Sequence, residues 1–231
     1  IFADTTTGTA GSWILDNNGT PGNILTLAGT TPTITVNALG TGKTATISAV
    51  IAGTDGLRKA GAGTLVLDGT NTYTGTTAVT AGILRLTHAN ALGGSTTVSM
   101  TSGAQLDLAG GLTFGTDSTI TINGSGGANF AGSLQSASGS NVWAGNVIIG
   151  SSGSRLGAQA GATLEISGEI SAGAGVQLSI RNADQTGTTI LSGNNTYNGQ
   201  TTVLGRLSVS NIGSVGSLSS NLGASSTATN A

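Results

Sequence analysis

Residues 63–79 read GTLVLDGTNTYTGTTAV, and residues 187–203, which begin 124 positions later, read GTTILSGNNTYNGQTTV. Ten of the seventeen aligned positions are identical, including the Asn-Thr-Tyr triplet and the glycine two positions after it. Just beyond, GILRL (82–86) aligns with GRLSV (205–209), where alternate positions stay aliphatic while their neighbours change. This period of two is typical of a β-strand with one buried face.

Short alternating segments of the same kind recur along the chain, and each ends at a turn-forming or small residue. They are ILTLAG (24–29), TITVNAL (33–39), ATISAVIAG (45–53), AQLDLAG (104–110), STITING (118–124), NVIIG (146–150), ATLEISGEI (162–170) and VQLSI (176–180). The Gly, Thr, Ser and Asn content disfavours helix, as does the lack of a sustained 3.6-residue apolar stripe. The sequence therefore predicts an all-β protein.

Composition excludes several classes of protein. Charged residues make up 7% of the 231 residues, the net charge is −2 and the mean hydropathy is +0.20, which is unlike a disordered chain. Seven scattered Lys and Arg residues do not form a nucleic-acid surface, and we expect the one basic pair, Arg58-Lys59, in a solvated turn. No apolar run is long enough to span a bilayer, and the absence of cysteine excludes disulfides and thiolate metal sites.

Two all-β arrangements fit such short strands: an antiparallel sandwich or barrel, and a β-solenoid whose turns stack on one another. Sparse charge, few aromatic residues and many small aliphatic ones favour the narrow tube of a solenoid. With roughly 20–25 residues per turn and about 4.8 Å between strands, we expect about ten turns and a rod about 50 Å long.

The repeated triplet is interpreted as a corner between two strands of a turn. We expect Asn to take the strained backbone, Tyr to cover the edge of the core and Gly to permit the turn. The corner residues are Asn71, Tyr73 and Gly75 in the first copy and Asn195, Tyr197 and Gly199 in the second.

The segment GLRKAGAGTLVLDGTNTYTGTTAVTAGILRL (56–86) resembles the autotransporter passenger-associated repeat. The matching positions are Lys59, Gly61, Gly63, Leu65, Leu67, Gly69, Asn71, Tyr73, Gly75 and Gly82. The second copy keeps the corner but has RNADQTG in place of the Lys-containing lead-in. The resemblance implies a right-handed parallel β-helix at the bacterial surface or outside the cell, of the kind that forms stalks displaying other parts.

We therefore expect residues 1–231 to form one β-solenoid with repeat-like units at 56–93 and 181–213, as a processed product or part of a longer protein. Its expected task is structural: a stalk segment of a passenger, or a filament subunit stacking end to end through segments 1–13 and 211–231. The alternatives are an adhesin that binds host or matrix glycans or proteins and, less favoured, a polysaccharide-degrading enzyme. No cofactor, metal or nucleic-acid partner is expected.

Reactive residues are scattered. The nine acids occur singly along the chain, with Glu165 and Glu169 as the one close pair, and His88 is the one histidine. The stretch GGLTFGTDS (110–118) matches a calcium-binding nonapeptide only loosely. Trp13 and Trp143 are candidate contacts for a sugar or a partner, and the alternative for each is filling a covered corner.

Overall fold

The strands pair with their equivalents in the preceding and following turns of the chain, and every strand pair is parallel. The computed structural model describes residues 11–17, 19–20, 22–115, 117–127, 132–182, 186–212 and 220–223. This pairing confirms the predicted parallel β-solenoid and excludes the antiparallel sandwich. In this described part, no helix has the length and apolar character needed to cross a membrane.

Twenty-three strands follow one another in successive turns of the described chain. The first four turns contain β1 (Trp13–Leu15), β2 (Ile24–Thr26), β3 (Thr33–Thr35), β4 (Thr44–Ile47), β5 (Val50–Ala52), β6 (Leu57–Ala60), β7 (Thr64–Leu67), β8 (Thr74–Val79), β9 (Ile83–Leu86) and β10 (Gly94–Met100). The remaining turns contain β11 (Gln105–Ala109), β12 (Thr113–Phe114), β13 (Thr119–Ile122), β14 (Leu134–Ser138), β15 (Ser140–Trp143), β16 (Asn146–Ile149), β17 (Ser154–Ala158), β18 (Thr163–Ile166), β19 (Ile170–Ala172), β20 (Leu178–Arg181), β21 (Thr188–Leu191), β22 (Thr201–Leu204) and β23 (Arg206–Val209).

The turns build three faces. The first face is the sheet β1-β4-β7-β9-β11-β14-β17-β20-β22, and the second is β3-β6-β8-β10-β13-β16-β19. The third face lies between them in chain order and is interrupted: β2 pairs with β5, and β12-β15-β18-β21-β23 form a separate sheet. The third and fourth turns have no strand on this face, because the corner residues pass directly from the first sheet to the second.

The column has about eight turns rather than the expected ten, because some turns are longer than estimated. Trp13 pairs with Ala45, an advance of 32 residues, and Leu106 pairs with Leu134, an advance of 28. The repeat turns are shorter: Thr64 pairs with Ile83 after 19 residues. Insertions at corners thus change the length of a turn while the first-face strands still pair in order, with one register shift between Leu108 and Ala109 where β11 meets β14.

Inward side chains stack in register to form the core. On the first face one continuous column runs through Trp13, Ala45, Leu65, Leu84, Leu106, Leu134, Leu156, Ile180 and Val203. The residues between its two ends are fully buried. Burial of each Leu or Ile side chain stabilises the fold by about 1.5–3 kcal/mol, so the core gains stability turn by turn.

The outward side of the first face is not uniformly solvated. Asp107 is fully buried, although it points away from the core. Its Oδ2 accepts hydrogen bonds from Nε and Nη2 of Arg85 at 3.2 and 2.9 Å, and its Oδ1 accepts from the amides of Gln105 and Gln135 at 2.6 and 2.7 Å. The amide N–H of Gly127 donates to Gln105 and ties the segment after β13 to this network. An insertion therefore covers an outer position that alternation alone would assign to solvent.

We predict that Asp107→Asn lowers the free energy of unfolding by about 2–3 kcal/mol, because it removes the counter-charge of Arg85 and mispairs a buried amide. Chemical denaturation followed by circular dichroism measures the change. The exposed Asp55→Asn is the matched control and should lie within about 0.5 kcal/mol of wild type. Equal effects of the two substitutions would show that the network contributes nothing.

Candidate functional site

The side chain of Asn71 joins three successive turns. It is buried, its Oδ1 accepts a hydrogen bond from the backbone N–H of Ile51 at 2.8 Å, and its Nδ2 donates to the carbonyl of Ala91 at 2.6 Å. Its own backbone N–H donates to the carbonyl of Asn90. The side-chain amide thus accepts a hydrogen bond from the preceding turn and donates one to the following turn. Without it, these backbone N–H and C=O groups would be unpaired, because the corner has no strand pairing to satisfy them.

Asn195 repeats this arrangement. Its Oδ1 accepts from the N–H of Ile170 at 2.7 Å, its Nδ2 donates to the carbonyl of Asn221 at 2.6 Å, and its N–H donates to Ser220. The short segment 220–223 therefore occupies the place that 90–93 occupies at the first corner. Both segments contain Leu-Gly, and both glycines, Gly93 and Gly223, have positive φ.

The two tyrosines point into the core. Tyr73 and Tyr197 are fully buried, and each hydroxyl lies within hydrogen-bond distance of a threonine four residues later, Thr77 at 2.8 Å and Thr201 at 2.7 Å. Burial raises the pKa of Tyr73 above its usual range and raises the pKa of Tyr197 to about 12. At the first corner the hydroxyl chain continues from Thr77 to Ser95. Sequence reasoning missed the threonines, although both are identical in the aligned copies.

The corner glycines are needed for two different reasons. Gly75 has φ +86°, so glycine rather than asparagine adopts the left-handed backbone at this corner. Asn71 instead forms hydrogen bonds through its side-chain amide. Gly199 has no positive φ, but a Cβ there would lie 1.9 Å from the carbonyl oxygen of Val176. A Cβ at Gly75 would also lie 2.8 Å from the backbone N of Gly56, so Gly75 meets both a conformational demand and a close approach, whereas Gly199 meets the close approach alone.

The two copies occupy different faces of the column. The first begins with β7 on the first face, places its corner over β5 on the third face and continues into β8 on the second face. The second begins with β21 on the third face, places its corner over β19 on the second face and continues into β22 on the first face. The repeat is therefore displaced by one face around the axis, and its geometry depends on the neighbouring turns rather than on a particular face.

Lys59 corrects the expectation of a solvated basic turn. It lies in β6 between the inward neighbours Ile34 and Val79, and its side chain is fully buried. Its ammonium donates to the carbonyls of Ala60, Gly61 and Ala81 at 3.0, 2.7 and 2.9 Å, so it binds its own turn and the next one. Burial lowers the pKa of Lys59 to about 8.

Glu165, Glu169 and His88, the reactive residues singled out from the sequence, each have their own hydrogen-bond partners. Glu165 and Glu169 are partnered separately, by the hydroxyls of Ser192 and Thr196. His88 lies in a turn, with Nδ1 accepting from the N–H of Asn90. Within the described ranges no three His, Cys, Asp or Glu residues are grouped to hold a metal ion. The residues of the calcium-like stretch 110–118 that are described include one acid, Asp117.

The two tryptophans have different environments. Trp13 is 46% exposed and lies in β1, at the end of the inward column. Trp143 is fully buried, packs beside Gly115 and has no hydrogen-bond partner for Nε1 in the described structure. The indole of Trp143 is therefore covered at the end of β15, whereas that of Trp13 is accessible. Parts of the expected assembly segments, 1–10, 213–219 and 224–231, lie outside the described residues.

The fold and the corner together define a parallel β-solenoid built partly from repeated, amide-bridged turns. A family model described as the passenger-associated-transport-repeat matches residues 57–86, 81–99 and 184–205. These three segments of the chain are thus similar to the passenger-associated-transport-repeat. The matches include both corners, which confirms the resemblance identified in the sequence.

One relative is the adhesin BmaC autotransporter of Brucella suis biovar 1 (strain 1330), which is 36% identical over 148 residues. The match covers 57% of this chain and 4% of the relative's length. No solved structure matches the chain. The repeat and this relative point to the bacterial cell surface or the extracellular space as the location of the protein.

We predict that Asn71→Ala lowers the free energy of unfolding by about 2–4 kcal/mol, because it leaves the N–H of Ile51 and the carbonyl of Ala91 unpaired inside the column. Asn198→Ala is the control: its Oδ1 also accepts a backbone N–H of another turn, that of Gly175, but at an exposed position. Thermal and denaturant unfolding should give a change below about 1 kcal/mol for the control. Similar losses in the two variants would contradict a special role for the buried corner.

We predict that the protein becomes more stable as the pH rises from 7.5 to 9.5. Lys59 has a lower pKa folded, about 8, than unfolded, 10.5, so in this window the unfolded chain holds a proton that the folded chain releases. Wild type should gain about 2 kcal/mol of unfolding free energy relative to Lys59→Met, which lacks the titrating group. Denaturant titrations at the two pH values test this, and a parallel pH response in both proteins would refute it.

Proposed function

We propose that this chain is a non-enzymatic structural segment of a surface-exposed passenger, a rod that spaces or displays other parts of the protein. The observation that carries the proposal is the inward column of the first face, which continues without interruption from Trp13 to Val203. A stack in which each turn buries the one before it resists bending and sets a fixed length, as a stalk requires.

Both ends of that column are open in the described structure. Trp13 is 46% and Val203 is 43% exposed, whereas the column residues between them are buried. Ile14 and Leu204, on the outward side of the same edge strands, are 70% and 54% exposed. Strands at the edge of a sheet that also carry exposed apolar side chains favour the addition of another strand.

Two forms of the structural role use these edges. In the first, further turns of a longer passenger stack on β1 and β22. In the second, separate copies of the chain stack end to end as a filament. The Brucella relative supports the first form, because the matched region is 4% of its length and leaves ample chain for additional turns.

Adhesion is the second candidate function, and the relative's description as an adhesin favours it. The partner would be a host or matrix glycan or protein bound on the side of the column. An enzymatic role has less support, since Glu165 and Glu169, the closest acidic pair in sequence, are each bound to a hydroxyl of the following turn.

We predict that deletion of residues 64–82, one repeat turn of 19 residues, shortens the rod but preserves its fold. After the deletion β9 can pair with β4, and β10 with β6, in the register that β7 and β8 use now. Small-angle X-ray scattering should show the longest dimension reduced by about 5 Å, with cooperative melting retained at a lower temperature.

Deletion of residues 64–73 is the matched control, because it removes part of a turn and brings the second-face strand β8 into the place of a first-face strand. This variant should lose cooperative melting. Loss of folding in both deletions, or an unchanged length in the full-turn deletion, would contradict a modular column.

A further inference from the structure

A groove of about 540 Å³ runs along the corner where the second face passes into the first, across the second to fourth turns. Its walls are the glycine-containing turn 38–44, the residues 62–64 that lead into β7, and two side chains of β9, Ile83 and Arg85. No acidic residue lines this groove. Two other grooves of the described structure each include an acidic residue, Asp117 in one and Asp16 in the other.

Two cationic side chains that line the groove have hydrogen-bond donors without partners in the described structure. Lys43 is exposed, and its ammonium has no partner among the described residues. Arg85 uses Nε and Nη2 to hold Asp107, while Nη1 has no partner in the same described part. An anion placed between them would therefore receive charge-assisted hydrogen bonds without breaking the Arg85–Asp107 ion pair.

The surrounding charges reinforce this character. The ammonium of Lys59 is bound to the carbonyls of Gly61 and Ala81, and Gly61 immediately precedes the lining residue Ala62. Two of the chain's seven Lys and Arg residues thus line one groove of a protein whose net charge is −2. The one nearby carboxylate, Asp107, is fully buried and already bound by Arg85 and two glutamine amides.

The neutral part of the lining suits a sugar. Thr41, Thr44 and Thr64 supply hydroxyl groups, and Leu39 and Ile83 supply apolar surface. The backbone N–H groups of Thr41 and Gly42 have no acceptor among the described residues, so they remain available to ligand oxygens. A few placed polar groups beside apolar surface are typical of small-ligand sites.

We propose that this groove binds an anionic glycan, with one carboxylate or sulfate group held between Lys43 and Arg85. A nucleic acid would need many phosphate contacts, which two cations on an acidic protein do not provide. The site does not depend on the stalk role, because it is formed by three adjacent turns and requires neither end of the column.

The test is isothermal titration calorimetry with three probes: trigalacturonate, its fully methyl-esterified form, and a trisaccharide whose only charged group is one sulfate. At least one charged probe should bind saturably, and its affinity should fall as salt is added. The methyl ester should bind at least tenfold more weakly, because it keeps the sugar and removes the charge. Whichever charged probe binds identifies the anionic group.

Lys43→Gln should weaken binding of the charged probe about tenfold, since it removes one exposed cation without disturbing the core. Arg206→Gln is the matched control: it removes an equally exposed cation from β23 on the third face and should leave the affinity unchanged. The proposal is overturned if neither charged probe binds, if the ester binds equally well, or if the two variants lose affinity equally. These binding measurements do not depend on the length of the rod, so the structural role is tested by a separate experiment.

Discussion

Parallel pairing between consecutive turns is the constraint on which the whole molecule depends. Each strand has only two to seven residues, too few to bury a core alone, and its N–H and C=O groups are satisfied by the strands of the adjoining turns. The in-register column from Ala45 to Ile180 follows directly from that pairing. Stability is therefore a property of adjoining turns, and local changes in chain length are absorbed at the corners.

The corners extend the same principle to places where strand pairing is absent. The side-chain amide of a buried asparagine can accept a hydrogen bond from one turn and donate a hydrogen bond to the next. A single backbone N–H or C=O group in an irregular corner can make only one of these two bonds. Asn71 and Asn195 satisfy this need in the same way on different faces. Lys59 provides a third inter-turn link, with its aliphatic stem among inward residues and its ammonium on corner carbonyls. The passenger repeat is thus a set of contacts between turns rather than a self-contained unit.

The period-two alternation and the repeated triplet were sufficient to predict an all-β solenoid, because buried strands in a narrow column require small aliphatic residues at alternate positions. They did not give the number of turns, since insertions such as the one between β13 and β14 carry no periodic signal. Lys59 was misplaced for a related reason: charge alone indicates exposure, whereas a partner distant in sequence, the carbonyl of Ala81, helps to hold its buried ammonium. The groove beside Lys43 combines residues from three turns, so no single motif reveals it.

The displacement of the two repeat copies by one face has a geometric consequence for anything attached to them. Loops inserted at the first and second corners would project from the rod in directions separated by about a third of a revolution, and several turns apart along its axis. A rigid partner could not touch both corners from one side. Parts attached at these two corners would instead face different sides of the rod.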